Sequence, residues 1–176
     1  MVAISKGREG DKPGEARKRA LRRALQMLSY RSRSRQEIVA DLAGRGCSTE
    51  IVEEVVSELE EKGLIGDAAL AQDIVSGGQR AGKSRSRIYA VLRRRGISRE
   101  TADEALEAHF DLDEECEAAT REIRKMLPIT SGPPGAEDLE RAARRLSSRG
   151  FSAPAVARAL KETASGAEAP GGFSFP

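Results

Sequence analysis

Apolar residues recur along this chain at intervals of three and four, the period of an α-helix. Ile51, Val52, Val55, Val56 and Leu59 fall on one face, as do Ala102, Ala105 and Leu106, and again Ala155, Val156, Ala159 and Leu160. A similar face precedes each of these: Ile38, Val39 and Leu42, then Ile88, Val91 and Leu92, then Leu139, Ala142, Ala143 and Leu146. A third lies ahead of each pair, in Ala20, Leu21, Ala24, Leu25 and Leu28, in Leu70, Ala71, Ile74 and Val75, and in Cys116, Ala119, Ile123 and Leu127. The pattern predicts an all-α chain.

The faces group in threes because the chain repeats itself. LAGRGCSTEIVEEVVSEL at 42–59, LRRRGISRETADEALEAH at 92–109 and LSSRGFSAPAVARALKET at 146–163 align without gaps on Leu-x-x-Arg-Gly-apolar-Ser. Gly46, Gly96 and Gly150 are in register at spacings of 50 and 54 residues, and the four extra residues fall in the Pro/Gly-rich PITSGPPGA at 128–136. The kernel reads as one helix ending and the next beginning. Its glycine is the left-handed residue that closes a helix, and Cys47, Ile97 or Phe151 then packs back onto the last turn. Ser48, Ser98 and Ser152 cap the helix that follows, and Pro154 sits harmlessly in a first turn. Ser34 with Glu37 forms a capping box, while Asp67 and Asp113 are candidate caps for the leading helices of the second and third units. Three three-helix units are expected at 16–63, 64–113 and 114–163, between flexible tails at 1–15 and 164–176. Each buries too little alone, so an elongated, curved array of tandem repeats is expected.

Composition narrows the chemistry. Only 3% of residues are aromatic, so the core is built from Ala, Leu, Val and Ile. Two cysteines, Cys47 and Cys116, and a single histidine, His109, cannot assemble a multidentate soft-metal site, so no cofactor or structural zinc is expected. Ser-His-Asp or Cys-His catalysis would rest on His109 alone, which has no nucleophile or second base paired with it by spacing and is expected to be a half-buried structural residue. Cys116 lies among Asp113, Glu114, Glu115 and Glu117, which disfavour a thiolate. No apolar run approaches the ~18 residues of a membrane span, and MVAISKGREGDKPGEARKRA at 1–20 holds no apolar run expected to serve as a signal peptide. A cytoplasmic protein is expected.

The formal net charge of +2 conceals blocks. Residues 1–43 carry +6, 47–75 carry −7, 79–99 carry +8 and 100–122 carry −9. The basic blocks cover the middle helices of the first two units and the loops before them, supplying Arg31, Arg33, Arg35, Arg80, Lys83, Arg85, Arg87, Arg93, Arg94 and Arg95. Such a set suits phosphates or an acidic protein groove. Arg outnumbers Lys 23 to 7, which favours bidentate contacts, and the lack of interleaved aromatics argues against binding single strands by base stacking.

Two motifs mislead. GGQRAGKS at 77–84 satisfies the P-loop pattern, but LAQDIVS before it has helical rather than strand spacing. The stretch from Ser34 to Ile65 is similar to a winged-helix DNA reader and supports an alternative, a helix-turn-helix transcriptional regulator. Its would-be recognition helix, however, carries Glu50, Glu53, Glu54, Glu58, Glu60 and Glu61, which would repel a phosphate-lined groove.

The Gly-Leu-Ile-x-Asp step at 63–67, Ala71, the Arg-x-Gly-Lys run at 80–83, Ile88, Leu92 and Arg-Gly-Ile at 95–97 resemble the RecX family of bacterial recombination regulators. The resemblance covers about residues 17–163. The chain departs from the family pattern at Gly66, commonly a second Asp, and at Leu70, commonly aromatic. The resemblance implies a non-enzymatic modulator, expected as a monomer, that binds the RecA recombinase and its filament on single-stranded DNA. It would lower ATP hydrolysis, strand exchange and coprotease activity by blocking filament extension or promoting disassembly, and so modulate DNA repair and the SOS response. The ten cations above are the expected contacts to the filament, with weak non-specific contact to the DNA backbone.

Overall fold

The computed structural model describes residues 13–127 and 134–165. Most of the 128–136 loop and of the expected tails lies outside these residues, but 13–15 are already helical. The described residues form helices α1 (Pro13–Tyr30), α2 (Arg35–Gly44), α3 (Thr49–Glu61), α4 (Asp67–Arg80), α5 (Arg85–Arg94), α6 (Arg99–His109), α7 (Leu112–Met126), α8 (Ala136–Ser148) and α9 (Ala153–Ala164), with no strand among them.

The repeated kernel supplies the helix ends. Gly46, Gly96 and Gly150 adopt φ of 81°, 79° and 80°. In each case the glycine N–H returns to the carbonyl three residues back, and the next residue's N–H to that of the kernel leucine, Leu42, Leu92 or Leu146, at 3.2 Å. Paired bonds of this kind satisfy the last carbonyls of α2, α5 and α8. Ser48, Ser98 and Ser152 accept the N–H of Ile51, Thr101 and Ala155, and Ser34 with Glu37 closes a complete capping box.

The leading helices start differently from expectation. Asp67 is the first residue of α4 and gives its carboxylate to the Arg35 N–H at 2.9 Å instead of capping its own helix. The cap of α7 is Asp111, which accepts the Asp113 N–H at 2.7 Å, so Asp113 sits inside the first turn.

Two compact units emerge. One comprises the described residues through Ile74 together with Val91–Glu107, the other Val75–Ala90 with those from Ala108 onward. In the first, Ala20, Ala24 and Met27 of α1 pack on Ile38 and Leu42 of α2 and on Val52, Val55, Val56 and Leu59 of α3. Leu25, expected in this core, is 43% exposed, and Met27 takes the inward position. In the second, Ala118, Ala119 and Ile123 of α7 meet Ala142 and Leu146 of α8, Phe151, and Val156 and Ala159 of α9. Fully burying an aliphatic side chain of this size is worth about 1.5–3 kcal/mol.

Each unit contains one joint between successive copies of the pattern. Ser34 caps α2 and also donates its hydroxyl to the Arg95 carbonyl at 2.5 Å. Ser84, 50 residues on, accepts the Arg87 N–H and donates to the Arg149 carbonyl at 2.8 Å. The N–H of the next residue is closed by an acid near the start of a leading helix: Arg35 by Asp67, and Arg85 by Glu115 at 3.0 Å. Glu115 is 2% exposed and also receives the Ser152 N–H at 3.3 Å and the Ser152 hydroxyl at 2.6 Å, so its carboxylate is anchored by three donors.

Candidate functional site

The ten expected cations divide between the two compact units. Arg31, Arg33, Arg35, Arg93, Arg94 and Arg95 belong to the first, and Arg80, Lys83, Arg85 and Arg87 to the second.

Three of the first group converge on one carboxylate. Glu37 lies 2.7 Å from Arg31 Nη2, 3.0 Å from Arg95 Nη2 and 3.9 Å from Arg33 Nη1. Burial of its carboxyl opposes ionisation, but Arg31, the Ser34 N–H and Arg95 outweigh it and hold the pKa below the ordinary value. Three guanidinium groups share one carboxylate, and Nε of Arg33 and Nε of Arg95 are buried without a hydrogen-bond partner. Excess positive charge therefore stays at this spot. Arg35 pairs with Glu60 at 3.3 Å, and Arg93 donates to the Ile97 carbonyl at the end of its own helix.

In the second group Arg85 is half-buried, its guanidinium 5.5 Å above the centroid of the Phe110 ring. It is a packing residue as much as a surface cation. By contrast, the side chains of Arg80, Lys83, Arg87 and Arg94 are exposed and make no ion pair or hydrogen bond among the described residues. These four carry charge that the fold leaves unused.

The structure resolves the misleading motifs. Gly77 and Gly78 lie inside α4, and Gly78 packs so close to Ile88 that a Cβ there would lie 2.9 Å from Ile88 Cδ1. Gly82, at φ 66°, is the closing turn of that helix, with its N–H on the Gln79 carbonyl and the Lys83 N–H on Gly78. A P-loop needs a strand before its glycines and N–H groups free for phosphate, whereas here a helix runs through Gly77 and Gly78, the Gly82 and Lys83 N–H groups close that helix, and the Arg85 N–H that opens α5 is taken by Glu115. After α3 the chain turns at Gly63 directly into α4, so no β-hairpin wing follows. His109 is exposed at the end of α6, not half-buried, because α6 terminates there with its inward face already filled by Ala102, Ala105 and Leu106. Cys116 is 2% exposed and burial pushes its thiol pKa up, as a packing residue requires. No group of three or more His, Cys, Asp or Glu residues is placed to hold a metal among the described residues, and none of their helices is long and apolar enough to cross a membrane.

The repeated kernel has counterparts in known proteins. Residues 20–59 match the first three-helix domain of RecX, and residues 67–106 the second. Regulatory protein RecX of Streptomyces coelicolor is 30% identical over 162 residues, covering 92% of this chain and 86% of its own length. The chain belongs to the RecX family. The Corynebacterium efficiens RecX is 34% identical over 149 residues, covering 81% of this chain and 71% of its own length. The Bacillus subtilis RecX is 29% identical over 150 residues, and there the match spans only 56% of the relative. A crystal structure of RecX from Lactobacillus salivarius superposes with a TM-score of 0.79 at 21% identity, covering 85% of this chain and 97% of that one, a likeness of fold. The two RecX domains take in α1–α3 and α4–α6, while α7–α9 follow the second match.

The cations were legible from charge runs. The joint role of Glu115 was not, although Ser34 and Ser84 standing in register ahead of the kernel were a signal for the joints.

Proposed function

We propose that this RecX family member binds the RecA recombinase in its filament on single-stranded DNA and restrains it. It blocks filament extension or promotes disassembly, and so lowers ATP hydrolysis, strand exchange and coprotease activity and tempers DNA repair and the SOS response. It acts by occupancy, in the cytoplasm and as a monomer, with no reaction of its own. Family membership supports the regulatory role. The observation that carries the contact surface is the set Arg80, Lys83 and Arg87 of the second unit, exposed and without a partner among the described residues.

Exposed cations already committed to carboxylates gain little from a new anion, since an old pair breaks as the new one forms. Unpaired ones lose only hydration and side-chain freedom, so they dominate attraction to acidic protein surface or DNA backbone. Arg31, Arg33 and Arg95 add local positive excess around Glu37, while Arg35, Arg85 and Arg93 contribute mainly through structure. RecA ATPase on single-stranded DNA, measured as the protein is titrated in, tests the role. Turnover that falls with added protein is expected; turnover unchanged at excess protein contradicts it.

A further inference from the structure

The Leu-x-x-Arg-Gly-apolar-Ser turn occurs three times, and the structure shows what lies against two of them. The start of α2 covers Arg95–Gly96: Ser34 donates to the Arg95 carbonyl, and a Cβ on Gly96 would meet the Cβ of Gln36 at 2.7 Å. The start of α5 covers Arg149–Gly150: Ser84 donates to the Arg149 carbonyl, and a Cβ on Gly150 would lie 3.1 Å from that of Ser86. In both, a helix begins with a serine cap, and a side chain two positions on lies flat against a glycine.

The first turn has the same backbone, and no described residue is packed on it. Gly46 has φ 81°, with its N–H on Ala43 and the Cys47 N–H on Leu42. Among the described residues no atom stands within 4 Å of a Cβ placed on Gly46, and no hydroxyl donates to the Arg45 carbonyl. Cys47 is half-buried where Ile97 and Phe151 are buried. A cleft of about 140 Å³ opens beside it, lined by Val39, Ala43, Cys47 and Val52 with Arg35 and Glu53. The acid of each joint also has a counterpart. Glu15 stands in the first turn of α1 as Asp67 and Glu115 do in α4 and α7, and it is exposed with Lys18 as its partner.

The other end of the pattern cannot fill this place from a second copy. The cap of α8 is Gly135, which has no hydroxyl to donate, and Ser34 and Ser84 are already engaged. We propose that the Arg45–Gly46–Cys47 turn is a docking face for the start of a Ser- or Thr-capped helix of a protein partner, held as the two internal joints are held. The internal joints are its template, and it does not depend on which cations touch the filament.

Alkylation of Cys47 by a maleimide reads the face directly, because Cys116 is buried. The probe is a stapled helical peptide with the sequence of residues 82–95, used alongside its Ser84→Ala form. The serine peptide is expected to slow alkylation, and to do so at about five- to tenfold lower concentration than the alanine peptide, since one hydroxyl both caps and donates. Glu15→Lys in the full chain should weaken that protection. Equal potency of the two peptides, or no protection by either, would overturn the proposal. So would a Cys47 that is unreactive in the free chain and released by deleting residues 1–12, or one protected by self-association in sedimentation. The recombinase filament serves as a separate arm: a filament that binds the chain while leaving Cys47 reactive places that contact elsewhere, and the peptides still decide the docking face.

Discussion

Ser34 and Ser84 each hold two bonds with one hydroxyl, accepting from their own helix and donating to the Arg95 or Arg149 carbonyl. Ser48 caps without donating to a carbonyl across a joint, and it is exposed. Ser48→Ala should therefore cost about 1 kcal/mol in urea denaturation, and Ser84→Ala about 2 kcal/mol, because Ser84 is buried and the Arg149 carbonyl also loses its donor. The kernel glycines divide the same way. Ala at position 46 bears only the left-handed backbone cost of roughly 1–2 kcal/mol, whereas Ala at 96 must also displace Gln36, for a total of about 3 kcal/mol or more. Equal losses at the two glycines would mean that the joint at Gly96 is not close-packed in solution. The sequence gives every glycine one and the same reason, helix closure. The second reason depends on what lies across the joint, which the helix-closing motif itself does not record.

Helix ends and helix faces were legible because capping and the 3.6-residue period are local. Ser34, Ser48, Ser98 and Ser152 cap as their spacing implies, and Ile38, Leu42, Val55, Val56, Ile88, Leu92 and Leu146 are buried as the stripes imply. Where tertiary demands compete, the sequence misleads. Asp67 is claimed by Arg35 of another helix, and α1 turns Met27 rather than Leu25 to the core. Helices are also tied by charge. Asp41 of α2 accepts two bonds from Arg23 of α1, both at 2.9 Å, and one from Arg45 at 2.8 Å. The arginines hold its pKa far below the usual carboxylate range, and Glu37 is lowered as well. Carboxylates depressed by folding stabilise above their unfolded pKa of about 4, and that stability is lost as pH falls through the folded value. Melting temperature should accordingly hold from pH 7 to about 5 and drop below pH 4. Asp41→Asn should flatten the drop, and an unchanged acid limb would remove Asp41 from the account. In α7, Glu115→Ala strands the Arg85 and Ser152 N–H groups at once and should cost about 3 kcal/mol.

The whole chain carries nearly equal numbers of opposite charges, yet they are not equivalent. Arg23, Arg31, Arg35 and Arg95 are spent on Asp41, Glu37 and Glu60, and Arg85 rests on Phe110. Charge runs could nominate ten cations, but only the folded chain separates those in use from Arg80, Lys83, Arg87 and Arg94. Reversal of Arg80, Lys83 and Arg87 to Glu leaves no native pair broken and should preserve helicity and stability within about 0.5 kcal/mol. The decisive measurement is RecA ATPase on single-stranded DNA at physiological salt, titrated with the native chain and with that triple variant. Progressive inhibition by the native chain is predicted, with a several-fold weaker effect of the variant. RecA turnover unaffected by the native chain would contradict the proposed function, and full inhibition by an intact, folded variant would contradict the surface assigned to it.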